Sequence, residues 1–447
     1  MPGAAADPHS RFPLCQYVGD HRVKRLSVNK KGAVMAVSTA ATASTAPTAS
    51  AAPTVSAAPT VSAAPTVSAA PTAPVGQSAI GLATAVLIHG PISRGELGRR
   101  LGLSAASLTR LSRPFLEQGL FVELSEDHHR GVGRPTRPLD VRADARRFVG
   151  IKLTGEDIFA VLTDLRATEL DSTSEPLAGR EVDDVVARLE AVVRRLAAGR
   201  DIAAVGVSVG GNVAGSRIVT QAPFLGWRDV DLAGALEARL GIPVLVENDV
   251  VGLASAEQWF GLSRDTPTFA LLTIGVAVGY ALVRNGEVIG TADSGLGLGG
   301  HVPLAADGPL CEDGHRGCSN AMLSEASICA QVEDLLGRPV TYHEVLALAV
   351  AGDPAALAVL GSTARALGTL VALVANLAML TSVVLAGEGI GLWSIVGDQV
   401  VEAARAGRNP GATALSITID ETGVSSWARG AAAVAIRHTL ARLTAPR

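Results

Sequence analysis

From Ala36 to Ala79 the chain carries no charged residue, and the unit Ala-Pro-Thr-Val-Ser-Ala recurs at Ala52–Ala57, Ala58–Ala63 and Ala64–Ala69. Spaced prolines among alanine, threonine and serine offer little apolar surface, so nothing offsets the conformational entropy lost on ordering such a segment. Residues 1–77 are therefore expected to form a disordered, semi-extended tail, with the folded protein starting near Ser78. A basic stretch ahead of the repeats, with Arg22, Lys24, Arg25, Lys30 and Lys31, reads as a solvated tail in preference to an arm on DNA phosphate.

The chain's 447 residues suffice for two or three domains and a sizeable core. A formal net charge of −4 excludes a polyanion binder by bulk charge, so any nucleic-acid surface must be local. Cys15, Cys311, Cys318 and Cys329 show no framework of pairs, which suits a reducing cytoplasm. Cys311 and Cys318 are close enough in sequence to suggest a metal site, against the plain alternative of two buried thiols. No secretory signal is expected. The uncharged stretch Ala366–Gly387 reads as a buried helix followed by a strand at Ser382–Ala386, in preference to a membrane span.

Past Ser78, Ile80, Ala83, Val86 and Leu87 recur at helical spacing up to His89-Gly90-Pro91. Ser93 with Glu96 predicts a capping box for a second helix, which turns Leu97 and Leu101 inward and stops at Gly102. A third helix is predicted over Ser104–Arg113, with Leu108, Leu111 and Phe115 on one face and Pro114 interrupting or bending it. A strand at Leu120–Leu124, a polar turn, and Gly133-Arg134-Pro135 leading into Leu139-Asp140-Val141 complete a two-stranded wing. Three helices and a wing describe a winged helix–turn–helix over residues 78–145. Ser104, Ser107, Thr109, Arg110 and Arg113 offer a polar face narrow enough for a major groove, and Arg130, Arg134 and Arg137 arm the wing. Arg134, on an extended Gly-Arg-Pro backbone, is placed to reach a minor groove. Between Arg94 and Arg113 five arginines face one acid, Glu96, the local excess that phosphate contact requires. A three-helix unit used only for dimerisation or protein contact is the alternative.

From Arg147 strands and helices alternate. Phe148–Leu153 and Ile158–Asp164 read as a hairpin, Val182–Ala198 as a helix, Ile202–Val209 and Val244–Val246 as strands, Val250–Phe260 as a helix, and Phe269–Ile274 with Gly279–Arg284 as a second hairpin. The order suits a two-lobed α/β domain over residues 146–447 with a cleft between lobes. Several segments then coincide: Glu247-Asn248-Asp249 behind a strand; Gly275-Val276-Ala277-Val278-Gly279 with Asn285-Gly286; Gly297-Leu298-Gly299-Gly300-His301; and Cys311-Glu312-Asp313-Gly314-His315-Arg316-Gly317-Cys318. Joined to the winged helix, they resemble the ROK family (repressors, open reading frames and kinases) from about Ser78 to the end.

The resemblance implies an actin-like (ribonuclease H-like) sugar-kinase fold. In the family's kinases the Asp of the Glu-Asn-Asp run is the general base on the sugar hydroxyl; that position is Asp249, with Asn248 a sugar contact. Read by itself, Asp249 is equally a helix N-cap. The family's zinc site, one His and a Cys-x-Cys-Gly-x-x-Gly-Cys run, maps onto His301, Cys311 and Cys318, with Asp313 where the middle Cys stands. Zinc accepts carboxylate oxygen, so a weakened, structural zinc site of His301, Cys311, Asp313 and Cys318 is implied, holding the loop that sets His301 against the sugar. A metal-free remnant loop is the alternative.

The kinase chemistry is expected to be lost. Family kinases open with G-x-D-x-G-G-T, whose amides hold ATP phosphate, and here the segment reads Gly150-Ile151-Lys152-Leu153-Thr154-Gly155-Glu156. Lys152, Thr154 and Glu156 replace an Asp, a Gly and a Thr, which sets a carboxylate against phosphate and blocks close backbone approach. Ala386-Gly387-Glu388-Gly389 alters the second phosphate segment. Leu298 and Asn320 stand where the kinases carry sugar-binding glutamates, leaving Asn248, Asp249, His301 and Asn320 as ligand contacts. The expected protein is a cytoplasmic, non-enzymatic homodimer or homotetramer without a membrane segment. It binds a double-stranded DNA operator and answers to a carbohydrate or sugar phosphate. An ATP-dependent sugar kinase and a ligand-blind DNA-binding protein are the rivals.

Overall fold

The structure, a computed structural model, describes residues 75–125 and 137–444. The repeat-bearing tail and the turn with Arg130 and Arg134 lie outside the described residues. The folded region opens with α1 (Val75–His89), starting earlier than the expected Ser78, followed by α2 (Arg94–Leu101), α3 (Ala105–Glu117) and the antiparallel pair β1 (Phe121–Glu123) and β2 (Leu139–Val141). Ser93 and Ser104 cap α2 and α3 by accepting the backbone N–H groups of Glu96 and Ser107. The capping box is only half formed, because Glu96 ion-pairs with Arg99 and Arg100 instead of reaching back. Nor does Pro114 break α3, which continues through it to Glu117. The next residue, Phe115, is fully buried and stacks on Phe121 with ring centroids 4.8 Å apart. Burying that ring contributes about 2–3 kcal/mol, comparable to the ~3 kcal/mol that an interior proline costs.

The carboxyl region contains two five-stranded sheets. The first lobe comprises β3 (Phe148–Leu153), β4 (Asp157–Thr163), β5 (Glu169–Pro176), α4 (Val182–Ala197), β6 (Ala204–Val209), a small sheet of β7 (Asn212–Ala214), β8 (Ile218–Ala222) and β9 (Trp227–Asp231), then α5 (Leu232–Leu240), β10 (Val244–Asn248) and α6 (Asp249–Phe260). The second comprises β11 (Phe269–Thr273), β12 (Gly279–Arg284), β13 (Glu287–Val288), α7 (Ser319–Leu323), α8 (Glu325–Leu336), α9 (Tyr342–Val350), α10 (Pro354–Leu377), β14 (Ser382–Ala386), α11 (Trp393–Ala406) and β15 (Ser416–Ile419). α12 (Val424–Thr444) closes the chain.

Strand order is β10-β6-β3-β4-β5 in the first sheet and β13-β12-β11-β14-β15 in the second. In each, an antiparallel meander flanks one side of the founding strand and parallel crossover strands flank the other. The same unit built twice is the actin-like architecture, with its cleft between the repeats. α10 is long and apolar enough to cross a membrane, yet 61% of its most apolar window is buried. Leu360, Leu367, Leu370 and Val371 anchor the second-lobe core from it, as the buried-helix reading expected.

α12 crosses back onto the first lobe and lies directly on its strands. A Cβ at Gly150 or Gly206 would fall 2.0 Å from the Ala428 carbonyl oxygen or 1.9 Å from that of Ala431, so only glycine admits this approach. Farther along, Ala433, Ile436 and Leu440 of α12 share one apolar cluster with Leu82, Val86 and Phe115 of the winged helix. Arg166 in the β4–β5 turn adds a polar clamp. It donates to the carbonyls of Leu87 (3.1 Å) and Gly90 (3.4 Å) and ion-pairs with Asp140 on β2. The winged helix thus packs against the two-lobed region through a common core.

Candidate effector cleft, metal loop and DNA surface

β10 carries Glu247 and Asn248 to the cleft edge, where α6 begins. The N-cap is Asn248, whose Oδ1 accepts the Val251 N–H at 3.1 Å, and not Asp249 as one sequence reading had it. The shift of one residue frees the Asp249 carboxylate. Its Oδ1 accepts from Val250 N–H (2.9 Å) and Asn248 Nδ2 (3.2 Å), while Oδ2 is ion-paired with Lys152 of β3. The two side chains are only 8% and 13% exposed, and Lys152 Nζ lies 4.5 Å from the centre of the Trp427 ring on α12. A general base must present its oxygen to a substrate hydroxyl, and this oxygen is taken by an ammonium.

The remaining ligand candidates are placed around this pair. Asn248 Nδ2 donates to the Gly211 carbonyl (2.9 Å), and Asn320 Oδ1 accepts the Val278 N–H (2.8 Å) while packing on Gly300, beside His301. The Asn248 amide is therefore engaged with backbone at both ends, whereas Asn320 is so engaged through its oxygen. Asn212, unremarked in the sequence, donates to the carbonyls of Ala292 and Ser294 at 2.7 Å each, tying a second-lobe loop to the first lobe. Gly295 in that loop sits so close that a Cβ would lie 2.0 Å from the Gly211 oxygen.

The two segments that the family kinases use for phosphate make contacts of their own here. Thr154 Oγ1 accepts the N–H groups of Glu156 (3.2 Å) and Asp157 (2.8 Å), so the hairpin satisfies its own amides. At the second segment Glu388 packs against Gly275, and burial together with the Glu388 charge pushes the Glu325 carboxyl up to about 7. Two carboxyl groups thus stand beside the second phosphate segment.

On the second lobe, a tight turn brings Cys311 and His315 together, with the Cys311 N–H donating to the His315 carbonyl at 3.0 Å. His301 Nδ1 lies 3.7 Å from Cys311 Sγ, 3.7 Å from Cys318 Sγ and 3.1 Å from His315 Nδ1. Asp313 contacts the other ring nitrogen, Nε2, at 3.2 Å. Donor atoms of His301, Cys311, Asp313 and His315 all fall within 4.8 Å of one another, which is a metal-binding grouping by donor chemistry. His315 was missed by sequence because it occupies a variable position of the motif.

On the winged helix, Ser104 Oγ caps α3 and Thr109 Oγ1 donates to the Ala105 carbonyl at 3.0 Å. Arg113 pairs with Glu117, and Arg94 with Glu123. Arg110 is exposed and has no ion-pair partner among the described residues, and Arg137 is exposed at the base of the wing.

The ROK family profile matches residues 148–438. The DNA-binding transcriptional dual regulator NagC of Escherichia coli is 27% identical over 320 residues, covering 67% of this chain and 77% of the relative. The repressor Mlc of the same organism is 26% identical over 304 residues (64% and 75%), and the xylose repressor of Bacillus spizizenii 24% over 279 (61% and 72%). Among solved structures, a ROK family transcriptional regulator homologous to E. coli Mlc superposes with a TM-score of 0.71 at 24% identity, covering 83% of this chain and 98% of that one. A ROK hexokinase from Thermus thermophilus gives 0.56 at 27% identity, covering 65% and 97%. The duplicated sheets, the cleft residues and the profile match agree, and the chain belongs to the ROK family.

Proposed function

We propose that this chain is a DNA-binding transcriptional repressor that answers to a sugar or sugar phosphate and transfers no phosphoryl group. The observation that carries the reading is the Lys152–Asp249 ion pair, which occupies the carboxylate that a kinase needs as its base. The self-capped Thr154 hairpin and the Glu325–Glu388 carboxyls add to it, since both oppose triphosphate binding. Relatives named N-acetylglucosamine repressor and xylose repressor support a carbohydrate effector.

In this reading a polyol enters between the lobes beside Asn248, Asp249, His301 and Asn320. It alters the Asn212 contact with residues 292–294 and so shifts the balance of open and closed forms. α12 carries that shift outward, because Trp427 touches Lys152 at one end and Ile436 and Leu440 join the winged-helix core at the other. A homodimer acting in the cytoplasm presents two α3 helices to a palindromic operator, with Arg110 and the wing arginines 130, 134 and 137 on the duplex. Zinc fits the donor set of the His301–Cys318 loop; bound there, it would supply a rigid cross-link that keeps His301 at the cleft.

Genome-wide mapping of bound DNA, followed by operator titration with and without candidate sugars, tests the reading. Specific sites whose occupancy changes with one sugar are expected, together with no ATP turnover on hexoses or amino sugars. Sugar-dependent ATP turnover by the parent protein, abolished in Asp249→Asn under conditions where that variant remains folded, would establish the kinase instead.

A further inference from the structure

The donors that approach His301 Nδ1, namely Cys311, Cys318 and His315, differ from the set that the family pattern maps onto this loop. We propose that His315 takes the ligand position left by the missing thiolate. The ion is then held by His301 Nδ1, His315 Nδ1, Cys311 Sγ and Cys318 Sγ, with Asp313 orienting His301 from outside the ligand set. This rests on the zinc reading above and names its ligands.

The distances carry the assignment. Zinc bonds of about 2.0–2.1 Å to nitrogen and 2.3 Å to sulfur set tetrahedral edges of about 3.3 Å between two nitrogens and about 3.5 Å between nitrogen and sulfur. The two imidazoles are 3.1 Å apart at Nδ1, and Cys311 Sγ is 3.7 Å from each of them. Cys318 Sγ lies 3.7 Å from the same His301 nitrogen. Asp313 lies across the ring, 3.2 Å from Nε2. One imidazole cannot aim both nitrogens at a single ion, so the side of His301 facing three other donors is the metal side. The Asp313 carboxylate then accepts from Nε2–H, which fixes the tautomer that presents a bare Nδ1.

The backbone builds this arrangement. The Gly314 N–H donates to the Cys311 carbonyl at 2.9 Å with Gly314 in the left-handed region (φ 81°), and the turn sets Cys311 beside His315. Pro303 pairs with Cys318, and the Ser319 N–H donates to the Val302 carbonyl at 2.9 Å, bringing His301 alongside Cys318.

Cobalt(II) substitution in the full-length protein reads the ligand set directly. One cobalt per chain is expected, with a tetrahedral d–d envelope and a sulfur-to-metal band of two thiolates. His315→Ala should shift or abolish the envelope. His315→Cys should raise the charge-transfer band to three thiolates. Asp313→Asn should leave the envelope in place while weakening binding about 10–100-fold. An envelope unchanged by His315→Ala, or altered by Asp313→Asn, would overturn the assignment and leave the zinc reading standing. Wild-type protein that takes up no cobalt and no zinc would end both.

Discussion

The ammonium of Lys152 is ion-paired with the carboxylate of Asp249 beneath the Trp427 ring, joining a central strand to the first turn of a helix 97 positions away. Strand β3 is otherwise wholly apolar and buried, so the lysine sits in the sheet interior only because this partner and the ring receive its charge. Removing either member strands a charge. Lys152→Met and Asp249→Asn are each expected to destabilise the fold by about 3–5 kcal/mol. Lys152→Met combined with Asp249→Asn should cost at least 1 kcal/mol less than the sum of the single changes, by roughly the coupling seen for contacting charges. Urea unfolding of the four proteins checks this, and strict additivity would show that the pair is not coupled.

Arg166 holds the winged helix by its backbone and by Asp140. Its side chain is about a quarter exposed, so the charge-assisted bonds contribute about 1–2 kcal/mol after solvent screening. Arg166→Ala should speed limited proteolysis at the junction near Asp140 and reduce any sugar-dependent change in operator affinity, while leaving sugar binding intact. Equal loss of sugar binding would argue for a general folding defect.

On α3, capping and DNA contact are separable. Ser104→Ala should lower stability by about 1 kcal/mol through loss of the cap. Arg110→Ala should leave the melting temperature unchanged, weaken DNA binding and reduce the salt dependence of that binding by about one phosphate contact. Binding isotherms across a salt series, paired with thermal melts, distinguish the two.

Glu257 on α6 is buried with one carboxylate oxygen lacking a hydrogen-bond partner, and burial and the neighbouring Asp420 charge push it up to about 8. Glu325 is raised to about 7. For both, the folded state keeps a proton that the unfolded state releases above the usual carboxyl value of 4.5. Their contribution is therefore fully present below pH 4.5, is lost progressively as pH rises to about 7 and about 8, and changes no further above that. Glu257→Gln should flatten the stability–pH curve over this window and raise stability at pH 9 relative to the parent, as measured by urea midpoints from about pH 4.5 to 9.

Much of the framework was legible as periodicity. Leu108, Leu111 and Phe115 were placed on one face of α3 and all are buried there. The β3–β4 hairpin, the long buried helix α10 and the strand Ser382–Ala386 also formed as read. Apolar spacing fixes which face of an element turns inward before any partner is known. Local competition was harder to read. Glu96 had two arginines within its own helix to choose instead of the cap, Pro114 was carried by the burial of its neighbour, and the cap of α6 fell on Asn248, one residue early.

What the chain's order of residues determined by itself was the periodic elements of the winged helix and of both hairpins, the family motifs and the altered phosphate signature, all of which depend on neighbours within a few positions. Tertiary structure alone decided which distant groups meet: Lys152 with Asp249, Asn212 with the loop at 292–294, Arg166 with the end of α1, and His315 with His301. The physical reason is that charges and donors act over a few ångströms of space, and the separation of two residues along the chain carries no information about that distance until the sheets are paired and the lobes packed.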